Sequence, residues 1–164
     1  YWKERLSSVG EGPYVGISWK SSVKSAYRPE HYPSILEWAP VLNVPNVTFI
    51  NLQYVDYAED IARVEDEFGV KIHNFDDIDQ YGDIDEVAAL CAALDVVVST
   101  KVTPPMISAG VGTSTKIANW RQSSFNNILN NPNITSFEMF DRDTAQYWDI
   151  VFETIADKIS ISNN

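Results

Sequence analysis

The chain predicts an α/β domain, a doubly wound, mainly parallel Rossmann-like sheet with helices on both faces. Three observations lead there. Strand-like and helix-like segments alternate along nearly the whole sequence. The stretch Asp95-Val96-Val97-Val98-Ser99 is almost wholly apolar, as a parallel strand buried on both faces must be. A chain of 164 residues, 45% hydrophobic and 21% charged, suits one compact domain and argues against disorder.

The elements follow in order. Residues 1–13 read as a linker or the end of an upstream segment, 14–160 as the domain, and 161–164 as a tail. The start at Tyr1, inside Trp2-Lys3-Glu4-Arg5-Leu6, reads as a fragment of something longer. Tyr14–Trp19 is a short apolar strand after a Gly/Pro breaker. Ile35, Leu36, Ala39 and Leu42 recur at helical spacing across residues 34–42. Val47–Leu52 is β-branched and apolar, hence a second strand. Residues 57–68 form a helix with Ile61, Val64 and Phe68 on one face, closed by Gly69. Val70–His73 is a third, short strand.

Asp83 then caps a helix, with Glu86 three residues on, and Ile84, Val87, Ala88, Cys91 and Leu94 form its inner face. After the Asp95–Ser99 strand, Thr103-Pro104-Pro105 opens the next helix with Thr103 as its cap. Thr115–Ala118 and Ile134–Phe140 are weaker strand candidates. Residues 119–133 read as loop, and 144–159 as an amphipathic helix through Trp148, Val151, Phe152, Ile155 and Ile159.

Charge narrows the function. The formal net charge is −11, from 23 acids and 12 bases, which argues against generic binding to nucleic acid or anionic membrane. Residues 56–86 alone hold 12 of the 23 acids and two bases, a pattern that solvated faces also produce. No apolar stretch approaches the ~20 residues of a membrane helix. The lone Cys91 and the absence of a signal-peptide pattern lead to the expectation of a reduced, cytoplasmic setting. On that expectation the sequons at Asn46 and Asn133 carry no meaning.

Several chemistries fail on spacing. Gly10, Gly12 and Gly16 precede or lie within the first strand and do not form the dinucleotide-binding turn, so no NAD or FAD site is expected. There is no Walker A motif and no nucleophile elbow. Asp77, Asp79 and Gly82 resemble a calcium loop, but Tyr81 and Ala88 stand where oxygen ligands are required. His31 and His73 have no partner ligand nearby in sequence, so no metal site is expected.

Position in the sheet supplies the candidates, because ligands of open parallel sheets bind beyond the carboxyl ends of the strands. Ser18-Trp19-Lys20-Ser21-Ser22, with Lys24 and Arg28 beyond, is basic and hydroxyl-rich and suits an anion; an ordinary surface loop would look the same. Gln53-Tyr54 follows the second strand, where Gln53 either recognises a base or sugar or braces its own loop. Ser99-Thr100-Lys101-Val102-Thr103 leads into a helix whose dipole and N–H groups suit a diphosphate, with Thr103 as donor, as cap, or as both.

The same segments carry a family resemblance. Gly16-Ile17-Ser18-Trp19-Lys20-Ser21 is similar to a G-x-x-W-[KR]-[SG] opening. Glu37–Leu42 and Val47–Tyr54 resemble an EW-x-P-x-L segment followed by V-x-F-V-N-LQY. Asp83–Ser99 resembles D-L-D-D-x-AAL-x-x-ALDLVIS, the most specific match. Phe137–Phe140 with Trp148-Asp149 resembles the terminal R-x-F-R and W-D region. Taken together, the chain resembles the C-terminal half of GT-B glycosyltransferases, in particular bacterial TPR-linked proteins related to O-GlcNAc transferase and the heptosyltransferases. The likeness runs from about residue 14 to 159.

That resemblance implies one half of a GT-B fold that binds a nucleoside diphosphate sugar, while an acceptor-binding N-terminal half lies outside this chain. It implies no cofactor. Ser18, Trp19, Lys20, Ser21, Gln53, Tyr54, Asp83, Ser99, Thr100, Lys101 and Thr103 would form the donor site. No catalytic residue is assigned, and the fragment alone is expected to be inactive. The chain departs from the pattern in three places. Val102 stands at the family's Thr position, Lys101 replaces the small or acidic residue before it, and the loop bearing Trp120 and Pro132 is short. A degenerate, non-catalytic ligand-binding or interaction module of the same fold is therefore the alternative. A response regulator would need aspartates where the first strand instead ends in Trp19-Lys20.

Overall fold

The computed structural model describes residues 1–22, 32–120, 135–143 and 147–162. Within them lies a six-stranded, all-parallel sheet in the order β3-β2-β1-β4-β5-β6. The strands are β1 (Tyr14–Ser18), β2 (Thr48–Asn51), β3 (Ile72–His73), β4 (Val96–Ser99), β5 (Ser114–Trp120) and β6 (Phe137–Arg142). The helices are α1 (Trp2–Val9), α2 (Ala39–Leu42), α3 (Ala58–Phe68), α4 (Ile84–Ala93), α5 (Thr103–Gly110) and α6 (Trp148–Ser162). The expected α/β class is thus the observed one. The expected 144–159 helix begins at Trp148 among the described residues; Lys24, Arg28, His31 and most of the 119–133 loop lie outside them.

Alternation along the buried strands builds two cores, one on each face. Val15, Ile17, Phe49, Val96 and Val98 point toward Trp38, Val64, Phe152 and Ile155 from α2, α3, α6 and the 3₁₀ turn Ile35–Trp38. Ile50, Leu52 and Val97 point the other way, toward Leu6, Val87, Leu90 and Cys91. Trp38 and Phe152 stack with centroids 4.6 Å apart and a 33° tilt. Each such fully buried large side chain contributes ~1.5–3 kcal/mol relative to an exposed one.

Capping sets where the helices begin. Ser34 and Glu37 form a full capping box at the 3₁₀ turn that precedes α2. Asp83 caps α4 by accepting from the Glu86 N–H at 3.0 Å, as expected. Gly69 closes α3 in the left-handed region at φ 66°, where its N–H donates to Glu65 O. Two details differ from the sequence expectation. Residues 1–13, read as linker, contain α1, whose Trp2 and Leu6 are buried in the second core. Ile84 is 47% exposed, and Leu90 replaces it on the inner face of α4.

Gly16 sits where β1 leaves no room for a side chain. A Cβ there would stand 2.6 Å from both Leu52 Cδ1 and Leu94 Cδ1. Gly16→Ala is expected to lower stability by ~1–3 kcal/mol through overpacking; an unchanged denaturant midpoint would contradict this packing. Burial also pushes the Cys91 thiol up to about 12. Cys91 should therefore react with thiol reagents at neutral pH only as fast as the chain opens, and rapid labelling of folded protein would place it elsewhere.

Candidate functional site

The order β3-β2-β1-β4-β5-β6 diverges between β1 and β4, and the loops leaving these two strands part to opposite sides. A cavity of about 490 Å³ opens beyond this point. Ser21, Tyr54, Lys101 and Thr103 from the expected set line it, joined by Tyr32, Tyr81, Val102 and Met106. A second cavity of about 470 Å³ lies beside it and is lined by Trp19, Lys20, Asp60 and Glu37. Ser21 and Tyr32 line both.

Gln53, which is fully buried, braces the loop that leaves β1 between these cavities' shared residue Ser21 and the strand. Its Oε1 accepts from the Trp19 N–H and the Lys20 N–H, each at 3.0 Å, and from the Ser18 hydroxyl at 3.2 Å. Its Nε2 donates to Lys20 O at 2.9 Å and Val55 O at 3.4 Å. Asn51 holds the next link, its Oδ1 accepting from the Gln53 N–H at 2.8 Å. Of the two roles open to Gln53, loop bracing is the one the geometry displays.

Ser99 and Thr100 are buried as well. Ser99 Oγ donates to Ser18 O at 2.7 Å, and Thr100 Oγ1 donates to Trp19 O at 3.2 Å. Ser18, Trp19, Gln53, Ser99 and Thr100 thus stitch the ends of β1, β2 and β4 together behind the cavity. Asp83 remains on the exposed start of α4.

Lys20 and Lys101 do not converge. The Lys20 ammonium donates to Asp60 Oδ2 at 2.7 Å and to Asp56 O at 2.6 Å, which holds it toward α3. Lys101 lines the β1/β4 cavity, and its backbone O accepts from the Tyr32 hydroxyl at 3.1 Å. Desolvation lowers the Lys101 pKa from its ordinary value, while the Asp141 carboxylate acts in the opposite direction.

The start of α5 corrects an expectation. Val102, not Thr103, is the N-cap, and no side-chain cap bond forms. Thr103 takes the first helical position, followed by Pro104 and Pro105. Of the four N–H groups a helix start leaves without an intrahelical partner, Pro104 and Pro105 lack theirs. That of Val102 donates to Thr100 O at 2.9 Å, which leaves Thr103. The dipole end remains, but most of the expected amide cradle does not.

Sequence reasoning missed the aromatic wall. Tyr54 and Tyr81 approach with ring centroids 5.9 Å apart and a 46° tilt, and Tyr81 is 73% exposed. They and Thr103 also border an apolar slot of about 80 Å³ against Pro104 and Ile107. Tyr81 lies in an irregular turn, where Asp79 Oδ1 accepts from the Tyr81 and Gly82 N–H groups, so no periodicity marks it.

No family model matches the sequence. Protein FlbA of Caulobacter vibrioides is 42% identical over 113 residues, which is 69% of this chain and 19% of FlbA. The chain therefore spans a small part of that relative. A solved glycosyl transferase family 9 protein from Veillonella parvula superposes with a TM-score of 0.66. The match covers 98% of this chain and 49% of that one, at 13% identity. The fold is glycosyltransferase-like. At this identity the likeness speaks of fold alone.

Gln53→Leu removes the shared acceptor of three donors while keeping the volume. It is expected to cost about 3 kcal/mol, since buried donors without partners carry the full desolvation penalty. A loss below ~1 kcal/mol in the denaturant midpoint would show that the loop does not depend on this amide.

Proposed function

We propose that this chain is the donor-binding half of a GT-B glycosyltransferase and that a nucleoside diphosphate sugar occupies the β1/β4 cavity. The observation that carries the reading is Lys101 lining a cavity at the switch point of a glycosyltransferase-like sheet. Lys101 and the Thr103 hydroxyl would meet the phosphates, and the Tyr54–Tyr81 wall would meet the base or a sugar ring. Gln53 and Ser99 fix the backbone of Ser18, Trp19 and Lys20 beside the cavity.

In transfer, an acceptor hydroxyl would displace the diphosphate at the anomeric carbon. The new C–O bond forms as the bond to the phosphate oxygen breaks, and the acceptor proton leaves to a base on the other half. Lys101 supplies fixed positive charge where the leaving group's charge develops. A bacterial, cytoplasmic, TPR-linked parent protein belongs to the same proposal.

One observation favours the second reading, a non-catalytic ligand-binding module. Pro104 and Pro105 remove amide donors at the start of α5 where a diphosphate would need them. Calorimetric titration with UDP, GDP, ADP and CMP, then their sugar conjugates, separates the readings. Saturable binding of one nucleotide and its conjugate, weakened by salt, supports the donor site. Lys101→Ala should weaken that binding about tenfold, the scale of one hydrogen bond between charged groups. Binding of no nucleotide by a folded sample would overturn the donor-site reading.

A further inference from the structure

The two lysines of the expected site stand in different cavities, and one carboxylate is the reason. Asp60 sits in the first turn of α3, where the helix dipole favours an anion. Its Oδ2 accepts from the Lys20 ammonium at 2.7 Å and from the Trp19 indole N–H at 2.8 Å. Arg63 approaches its other oxygen at 3.8 Å. The Asp56 carbonyl gives Lys20 a second acceptor at 2.6 Å. Both partners are shielded, with side-chain exposures of 32% for Lys20 and 17% for Asp60, so the pair is firmer than a fully solvated one.

Lys20 is nevertheless next to the anion cavity. Its neighbour Ser21 lines both cavities, and the Lys20 backbone is fixed by Gln53 on both its N–H and its carbonyl. The backbone is therefore set, and only the side chain chooses a direction. A lysine stem has four rotatable carbons and an ammonium that serves any anion within its reach.

We infer that Asp60 is a positioning residue that latches Lys20 away from the β1/β4 cavity, so that the cavity's affinity for a phosphorylated ligand is set by competition between Asp60 and that ligand for one ammonium. The inference rests on the donor-site reading and deepens it. Among the described residues it gives the cleft one resident cation, Lys101, and one recruitable cation, Lys20. A ligand with two phosphoryl groups gains more from recruitment than a ligand with one. Trp19 ties the latch to the core, because the same carboxylate oxygen orients its buried indole.

The test is a double-mutant cycle on this chain with inorganic pyrophosphate as the probe. Asp60→Asn keeps an acceptor for the Trp19 indole while removing the charge that holds Lys20. It should tighten pyrophosphate binding about tenfold, the scale of one additional charge-assisted hydrogen bond. Lys20→Ala alone should change little, and Asp60→Asn with Lys20→Ala should lose the gain. Asp60→Glu, which restores the charge, should return affinity toward that of the unaltered chain, whereas a purely structural role of Asp60 would not be rescued this way. A gain that persists without Lys20 would show general charge repulsion instead and overturns the latch, as does equal binding by the unaltered chain and Asp60→Asn. Binding only in Asp60→Asn, and through Lys20, upholds the latch while removing the donor-site reading for the unaltered chain. Binding in no variant removes both.

Discussion

One side-chain amide organises this site. The carbonyl oxygen of Gln53 gathers three donors from Ser18, Trp19 and Lys20, and its nitrogen returns two bonds to the backbone of Lys20 and Val55. After β1 the chain passes through Trp19 and Lys20, which belong to no helix or strand. Buried N–H groups in such a path need partners, and a single glutamine arriving from β2 supplies them. The backbone of Lys20, and with it the position of Ser21 next in the chain, is held by that amide.

The electrostatics follow from this frame. A protein with a formal net charge of −11 has little long-range attraction to offer a phosphorylated ligand. Whatever affinity it has must come from local groups in a partly desolvated cleft. Lys101 provides one, and Asp60 diverts a second. The double proline after Thr103 thins the amide donors at the start of α5 while leaving its dipole. Among the described residues the cleft is thus poorer in fixed anion donors than its place in the sheet would allow, and richer in aromatic surface through Tyr54 and Tyr81.

Most of the fold was legible in the sequence, for periodic reasons. Val96–Ser99 is buried on both faces and is nearly all apolar, and α3 carries one apolar stripe and a closing glycine. What escaped has physical causes too. α1 hides because only Trp2 and Leu6, one turn apart, carry its buried face. At the start of α5, Pro105 removes the N2 donor that a Thr103 cap would bond and leaves only that of Met106, and Val102 takes the cap position. At the site, the residue types at the strand ends were readable but their roles were not. Gln53 can face a ligand or its own loop with the same atoms, and Lys20 can face a phosphate or a carboxylate. Asp60 lies 40 residues from Lys20 in sequence, and only the fold brings the pair together.

On the proposed function, the cavity at the β1/β4 junction, not its neighbour along α3, receives the ligand. Backbone amide NMR of the isotopically labelled chain during a UDP titration tests it most directly. Saturable shift changes are predicted at Ser21, Tyr54, Lys101 and Thr103, with Glu37 little moved. Changes centred on Trp19, Lys20 and Glu37, with Lys101 and Thr103 silent, would contradict it.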